Sequence, residues 1–220
     1  MAYIDFISEL HSKTKRDYVQ RVVENDKAEC SKIAKQYGND YWDGDRKYGY
    51  GGYKYDGRWS TVAEKMIQYY GLKDGNSILD VCSGKGFLLY EFKKLLPNSK
   101  IAGLDISDYA IENAKEEIKP FLTKGHAKKL PYKENEFDFV VSLGGLHNLP
   151  ISELGTAVKE IERVGNRQKY IMVESWRNES EKANLLYWQL TCESFHDVEN
   201  WAWIYKNNGY TGDWGFIFFE

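Results

Sequence analysis

Residues 78–92, ILDVCSGKGFLLYEF, restrict the folds open to this chain more than any other stretch. Ser77, Ile78, Leu79, Asp80 and Val81 show no polar alternation, so they predict a strand buried on both faces, as in the middle of a parallel sheet. The period then changes. Leu88, Phe92, Leu95 and Leu96 recur at helical spacing, and Pro97 stops the run. Between strand and helix lies Cys82-Ser83-Gly84-Lys85-Gly86, where glycines allow tight backbone angles and close approach of a ligand to the main chain. Residues 101–106, IAGLDI, predict a second buried strand ending in Asp105, about 20 residues on, where a carboxylate can accept from both hydroxyls of a ribose. These pieces make one βαβ unit with a binding turn.

The alternation continues. Ile111, Ala114 and Ile118 predict a crossover helix stopped by Pro120, and residues 121–123 a short strand. Residues 137–143 form another apolar run, Pro150 opens a helix carrying Leu154, Ala157, Val158 and Ile161 up to Gly165, and residues 169–175 predict a fifth strand. This rhythm predicts an α/β fold with a mostly parallel sheet covered by helices on both faces. Right-handed crossovers then bring the C-terminal ends of the strands to one edge, with Gly84, Asp105, Ser142, His147 and Glu174 on it. Residues 178–195 and 198–207 predict helices, and residues 209–220 one strand or an antiparallel pair.

Upstream, residues 2–37 contain no Pro or Gly and place Ile4, Ile7, Leu10, Tyr18, Val22 and Ile33 among polar runs, which predicts two helices ahead of the core. Residues 37–59 are dense in tyrosine and glycine and include Trp42 and Trp59, more aromatic surface than a linker carries. We expect an aromatic flap over the ligand. Thr61 and Glu64 have the form of a capping box for a helix running to Gly71. The expected division is 1–59 for N-terminal helices and flap, and 60–220 for the ligand-binding domain.

Asp80, Gly84, Gly86 and Asp105 resemble motifs of the class I S-adenosylmethionine-dependent methyltransferases of small-molecule type, a family with a Rossmann-like, seven-stranded sheet. Asp80, Gly84 and Gly86 match its acid and two of its glycines, and Cys82 stands where the first glycine usually does. By this resemblance Asp105 holds the ribose of S-adenosylmethionine, with Ile106 beside it. Residues 125–149 are similar to the family's adenine-side loop and fourth strand, which implies cofactor contacts for His126, Ala127 and Ser142, with His126 in place of the usual acid. The likeness covers roughly residues 60 to 175.

The activity it implies is methyl transfer to an oxygen or nitrogen of a small polar acceptor. A sulfonium has no hydrogen-bond donor, so aromatic faces suit it. Tyr50 is the cofactor-side candidate, with Tyr48 and Tyr53 near it, and Trp59 serves the acceptor. Glu174 and Arg177, past the fifth strand, are further acceptor-binding candidates. His147 is the candidate general base, since an imidazole near pKa 6.5 can take a proton at neutral pH. Two alternatives stay open: non-methyl chemistry on the same sulfonium, such as aminopropyl transfer or cyclisation, and a catalytically silent cofactor-binding subunit for a partner chain. A nicotinamide dehydrogenase is disfavoured because Gly-x-Gly is followed by Phe87-Leu88-Leu89 without a third glycine.

Composition narrows the partners. Thirty Lys and Arg against 33 acids give a net charge of −3, which leaves no electrostatic footprint for nucleic acid or a membrane surface. Three unevenly spaced cysteines argue against a disulfide framework or a metal site, and no run has the length of a signal or membrane span, so a cytoplasmic protein is expected. Aromatics at 15% exceed what a core needs and fit a pocket, or an interface that would join two copies as a homodimer.

Overall fold

The computed structural model describes residues 1–14 and 16–220. Six strands form one sheet: β1 Ser77–Val81, β2 Lys100–Asp105, β3 Leu122–Lys124, β4 Phe137–Leu143, β5 Gly165–Glu174 and β6 Asp213–Ile217. Their order is β3-β2-β1-β4-β5-β6, and every neighbouring pair is parallel. β1 is central, paired through Leu79 with Ala102 on one side and Val140 on the other.

Burial on both faces follows the period of two. Leu79, Val81, Val140, Ile171 and Val173 point into one apolar layer, shared with Leu154, Val158 and Ile161 of helix Ile151–Val164 and with Trp201 and Tyr205 of helix Val198–Asn207. Ile78, Phe139, Val141 and Met172 point into the other, against Met66 of helix Ser60–Tyr70 and Phe92 of helix Phe87–Leu95. Leu154, Val158 and Ile161 are fully buried at helical spacing, so a Leu154→Ala cavity there costs about 2–5 kcal/mol.

The far edge departs from the sequence-based expectation. A seventh, antiparallel strand is absent among the described residues. β6 instead runs parallel to β5, and its outer edge is met by the chain's first residues: the Ile4 N–H donates to the Trp214 carbonyl at 2.8 Å and the Trp214 N–H to the Ala2 carbonyl at 3.0 Å. Tyr170 Oη donates to the Ile4 carbonyl at 2.8 Å, and Phe6 lies edge-on to Tyr170, so residues 2–7 belong to the sheet edge and core rather than to a leading helix. Beyond them stand three short helices, Ser8–His11, Tyr18–Glu24 and Lys27–Ala34, where two were expected, and a fourth, Asn39–Trp42, opens the aromatic segment. Asp17 and Asp26 break the run by accepting from backbone N–H groups of the helices that follow them.

Smaller differences have local causes. Helix Ser60–Tyr70 starts one residue ahead of the expected box, and Ser60 Oγ donates to Glu64. The crossover helix after β2 is only Asp108–Glu112, capped by Ser107, and the helix after β5 stops at Trp188. At one edge of the sheet lie the C-terminal ends of β1, β2, β4 and β5. Cys82, Asp105, Gly144 and Glu174 meet there.

Candidate functional site

A cavity of about 610 Å³ opens at that edge. Asp80 of β1 and Cys82, Ser83 and Gly84 after it form its floor; His147 and Glu174 stand beyond, after β4 and at the end of β5. Tyr41, Trp42, Tyr50, Tyr53 and Trp59 roof it.

The floor is held by a carboxylate. Asp105 accepts from the Gly84 N–H at 2.7 Å and from the Ser107 N–H at 2.9 Å, which ties the glycine turn to the end of β2. Gly84 sits at φ +54°, where a side chain is strained. Cys82 adopts the same left-handed region at φ +65°, and its side chain fits only because Gly145 opposite has none. Burial, with the nearby charges of Asp105 and Asp80, pushes the Cys82 thiol far up, so it is no nucleophile. Asp80 is also raised well above the usual carboxylate range, by burial and by Asp105.

The roof is clamped to the floor. Trp42 Nε1 donates to Ser107 Oγ at 3.0 Å and to the Tyr37 carbonyl at 3.1 Å, and its ring edge lies 2.7 Å from where a Cβ on Gly84 would be. Tyr50 stacks on Trp42 with centroids 5.2 Å apart and planes 9° apart, Tyr53 stacks on Phe87, and Trp59 Nε1 donates to Tyr53 Oη. Beneath them Lys85 pairs with Asp43 at 2.6 Å and donates to the Tyr53 carbonyl at 2.9 Å. Tyr109 donates to the same carboxylate, so the flap is bolted to the first βα unit by an ion pair whose lysine is buried. Trp42 thereby lies against both Gly84 and Ser107, and Asp105 is not on the cavity wall.

His147 and Glu174 make an acid–base pair. Their Nε2 and Oε2 atoms are 3.5 Å apart, and Gln189 donates to Glu174 Oε2. His147 is 2% exposed, and its Nδ1 has no hydrogen-bond partner. The turn Leu146–Asn148 that carries it is fixed because the His147 carbonyl accepts from the Glu193 and Ser194 N–H groups at 3.0 and 2.9 Å. Burial lowers the His147 pKa to about 3. Burial likewise raises Glu174 to about 8, against the opposing pull of Gln189 and Arg16. Near pH 7 the imidazole is therefore neutral and the carboxyl protonated.

The sequence-predicted residues divide accordingly. Asp80, Gly84, Tyr50, Trp59, His147 and Glu174 all line the cavity. Gly86 does not, and its missing side chain serves packing: a Cβ there would lie 2.7 Å from Ile118. Ala127 lies in the apolar core, Ser142 is fully buried with its Oγ unpartnered, Ile106 is 49% exposed, and His126 pairs with Glu153 at 3.3 Å. None of these four lines the cavity. Arg177 is a correction to the acceptor-binding set: it is exposed, bound to Glu181 and Glu220, and outside the cavity. Residues not singled out from sequence also line it, above all His11, Arg16, Arg21, Arg46, Trp188 and Gln189. They come from segments far apart in the chain and share no motif; Trp42, by contrast, was signalled by the aromatic density around it.

Comparison with known proteins agrees with this fold. A family model described as a methyltransferase domain matches residues 72–211. A demethylmenaquinone methyltransferase from Staphylococcus aureus (strain JH9) is 32% identical over 106 residues, 46% of this chain and 43% of that protein, so the chain matches less than half the length of that relative. Among solved structures, a SAM-dependent methyltransferase from Aquifex aeolicus superposes with a TM-score of 0.53 at 19% identity, covering 89% of each chain. The YcgJ protein from Bacillus subtilis gives 0.54 at 18% identity over 66% of each chain. At these identities the two structures speak to the fold alone.

Proposed function

We propose, from the premise that the chain belongs to the methyltransferase domain family, that it transfers a methyl group from S-adenosylmethionine to an oxygen or nitrogen of a small polar acceptor. The observation that carries this reading is a cavity lined by both the glycine turn and the His147–Glu174 pair. Bound S-adenosylmethionine supplies the methyl group on a sulfonium. Asp80, Cys82 and Gly84 would hold its amino-acid end, and Asp105 its ribose, the latter once Trp42 shifts from the turn it covers. The stacked rings of Trp42, Tyr50 and Tyr53 would give a sulfonium the π faces it favours and exclude water.

The acceptor's proton goes to the His147–Glu174 pair. His147 alone is a weak base, because burial holds its pKa near 3, so it acts by passing the proton on to Glu174, whose carboxylate form appears as pH rises toward 8. Turnover therefore climbs with pH through that range. The test is a panel of small hydroxyl and amino acceptors, scored by S-adenosylhomocysteine release in wild type and His147→Ala. We expect turnover lower by at least about 100-fold in the variant, with S-adenosylmethionine affinity intact. A loss under about fivefold removes His147 from the proton path.

A further inference from the structure

Three guanidinium groups crowd one indole at the side of the cavity. Arg21, Arg46 and Arg16 lie 4.3, 5.2 and 5.4 Å from the Trp188 ring centroid, and all four residues line the cavity. None of the three forms an ion pair with a carboxylate among the described residues, whereas Arg58, Arg163 and Arg177 each have an acid at hand. Their hydrogen bonds go to neutral groups: Arg16 to the His11 and Thr14 carbonyls, Arg21 to the carbonyls of Arg46 and Lys47, Arg46 to the Tyr50 carbonyl. The Nε atoms of Arg16 and Arg21 are buried and have no partner at all.

Like charges this close repel, and leaving guanidinium N–H groups buried and unpaired costs free energy. The indole face offsets part of that through cation–π contact, but it cannot neutralise the charge. Glu174, the carboxyl whose charge acts on Arg16, keeps its proton up to about pH 8. Burial, with the added charge of Arg46, draws Arg21 below its ordinary pKa, the mark of a cation missing its counterion.

We infer that Arg16, Arg21 and Arg46 around Trp188 form an anion subsite that holds a carboxylate or phosphate group of the methyl acceptor. This rests on the proposed methyl transfer and narrows its acceptor from small and polar to small and anionic. Guanidinium forks suit both groups, since each can take paired N–H donors.

The test is calorimetry with benzoate, phenyl phosphate and the neutral benzamide, on wild type, Arg21→Gln and Arg21→Lys, with and without saturating S-adenosylhomocysteine. Benzoate or phenyl phosphate should bind at least about tenfold more tightly than benzamide. Arg21→Gln should remove most of that preference, and Arg21→Lys should restore part of it at an unchanged melting temperature. The two anionic arms show which group the subsite prefers. S-adenosylhomocysteine affinity should be equal in wild type and Arg21→Gln. If Arg21→Gln weakens it about tenfold, the arginines hold the cofactor's own carboxylate and the proposal falls. Equal binding of benzamide and the anions, or no binding of any probe, also overturns it. If wild type binds the anions but not S-adenosylhomocysteine, the methyl-transfer reading fails while the anion subsite stands.

Discussion

Replacing Glu174 with Gln removes a proton-binding site without removing a side chain of its size or its contact with Gln189. In the unfolded chain the glutamate and histidine titrate near 4.5 and 6.5, and in the fold Glu174 moves to about 8 while His147 moves to about 3. A raised acid binds more protons folded than unfolded, so between pH 4.5 and about 8 Glu174 makes stability fall as pH rises. A lowered histidine binds fewer, so between about pH 3 and 6.5 His147 makes stability rise with pH. The two slopes cancel from 4.5 to 6.5 and leave Glu174 alone above 6.5. Over the remaining ~1.5 units, at 1.36 kcal/mol each, the wild type should lose about 2 kcal/mol by pH 8. Glu174→Gln should lose none of this, and below pH 6.5 it should instead gain stability with rising pH, as its unopposed histidine dictates. Urea unfolding of both proteins at pH 5, 6.5 and 8 reads the difference directly, because every other titrating group is common to the two. Parallel curves would refute the reasoning: Glu174 would then be ionised in the folded protein throughout.

Other perturbations separate binding from folding. Asp105→Ala should weaken S-adenosylhomocysteine binding by about 1–3 kcal/mol in calorimetry, and lower the melting temperature too, because the carboxylate also anchors the Gly84 and Ser107 N–H groups. Gly86→Ala places a Cβ 2.7 Å from Ile118 at φ +67°, so denaturant unfolding should show a loss of about 1–3 kcal/mol with unchanged ligand affinity per folded molecule. If Trp42 shifts when a ribose reaches Asp105, S-adenosylhomocysteine should change the tryptophan emission of the wild type much more than that of Trp42→Phe. An equal change in both would mean that Trp42 stays where it is.

What could be read in advance follows from how local each cause is. β1, the glycine turn and helix Phe87–Leu95 were legible because apolar period and glycine placement act within a few residues, and β4 was legible because burial on both faces leaves a run that is apolar apart from Asp138 and Ser142. The outer edge was not. Residues 2–4 pair beside β6 through bonds that join opposite ends of the chain, and nothing in their spacing names that partner. Gly84 and Gly86 look alike in sequence, yet one faces the cavity under Trp42 and the other the Ile118 side chain, a difference of surroundings alone. His147 and Glu174 were singled out separately, and only the fold brings them within 3.5 Å and perturbs both by burying them. Arg16, Arg21, Arg46 and Trp188 meet through three separate segments, so their juxtaposition had no sequence signal.

On the proposed function, the glycine turn and the cavity above it receive S-adenosylmethionine. Calorimetric titration of the full chain with S-adenosylhomocysteine, beside Gly84→Val, tests it most directly. Saturable one-to-one binding to the wild type is expected, and its loss in Gly84→Val, whose side chain would project toward Trp42 into the space the ligand needs. No binding to the wild type at millimolar ligand, or equal binding to both proteins, would contradict it.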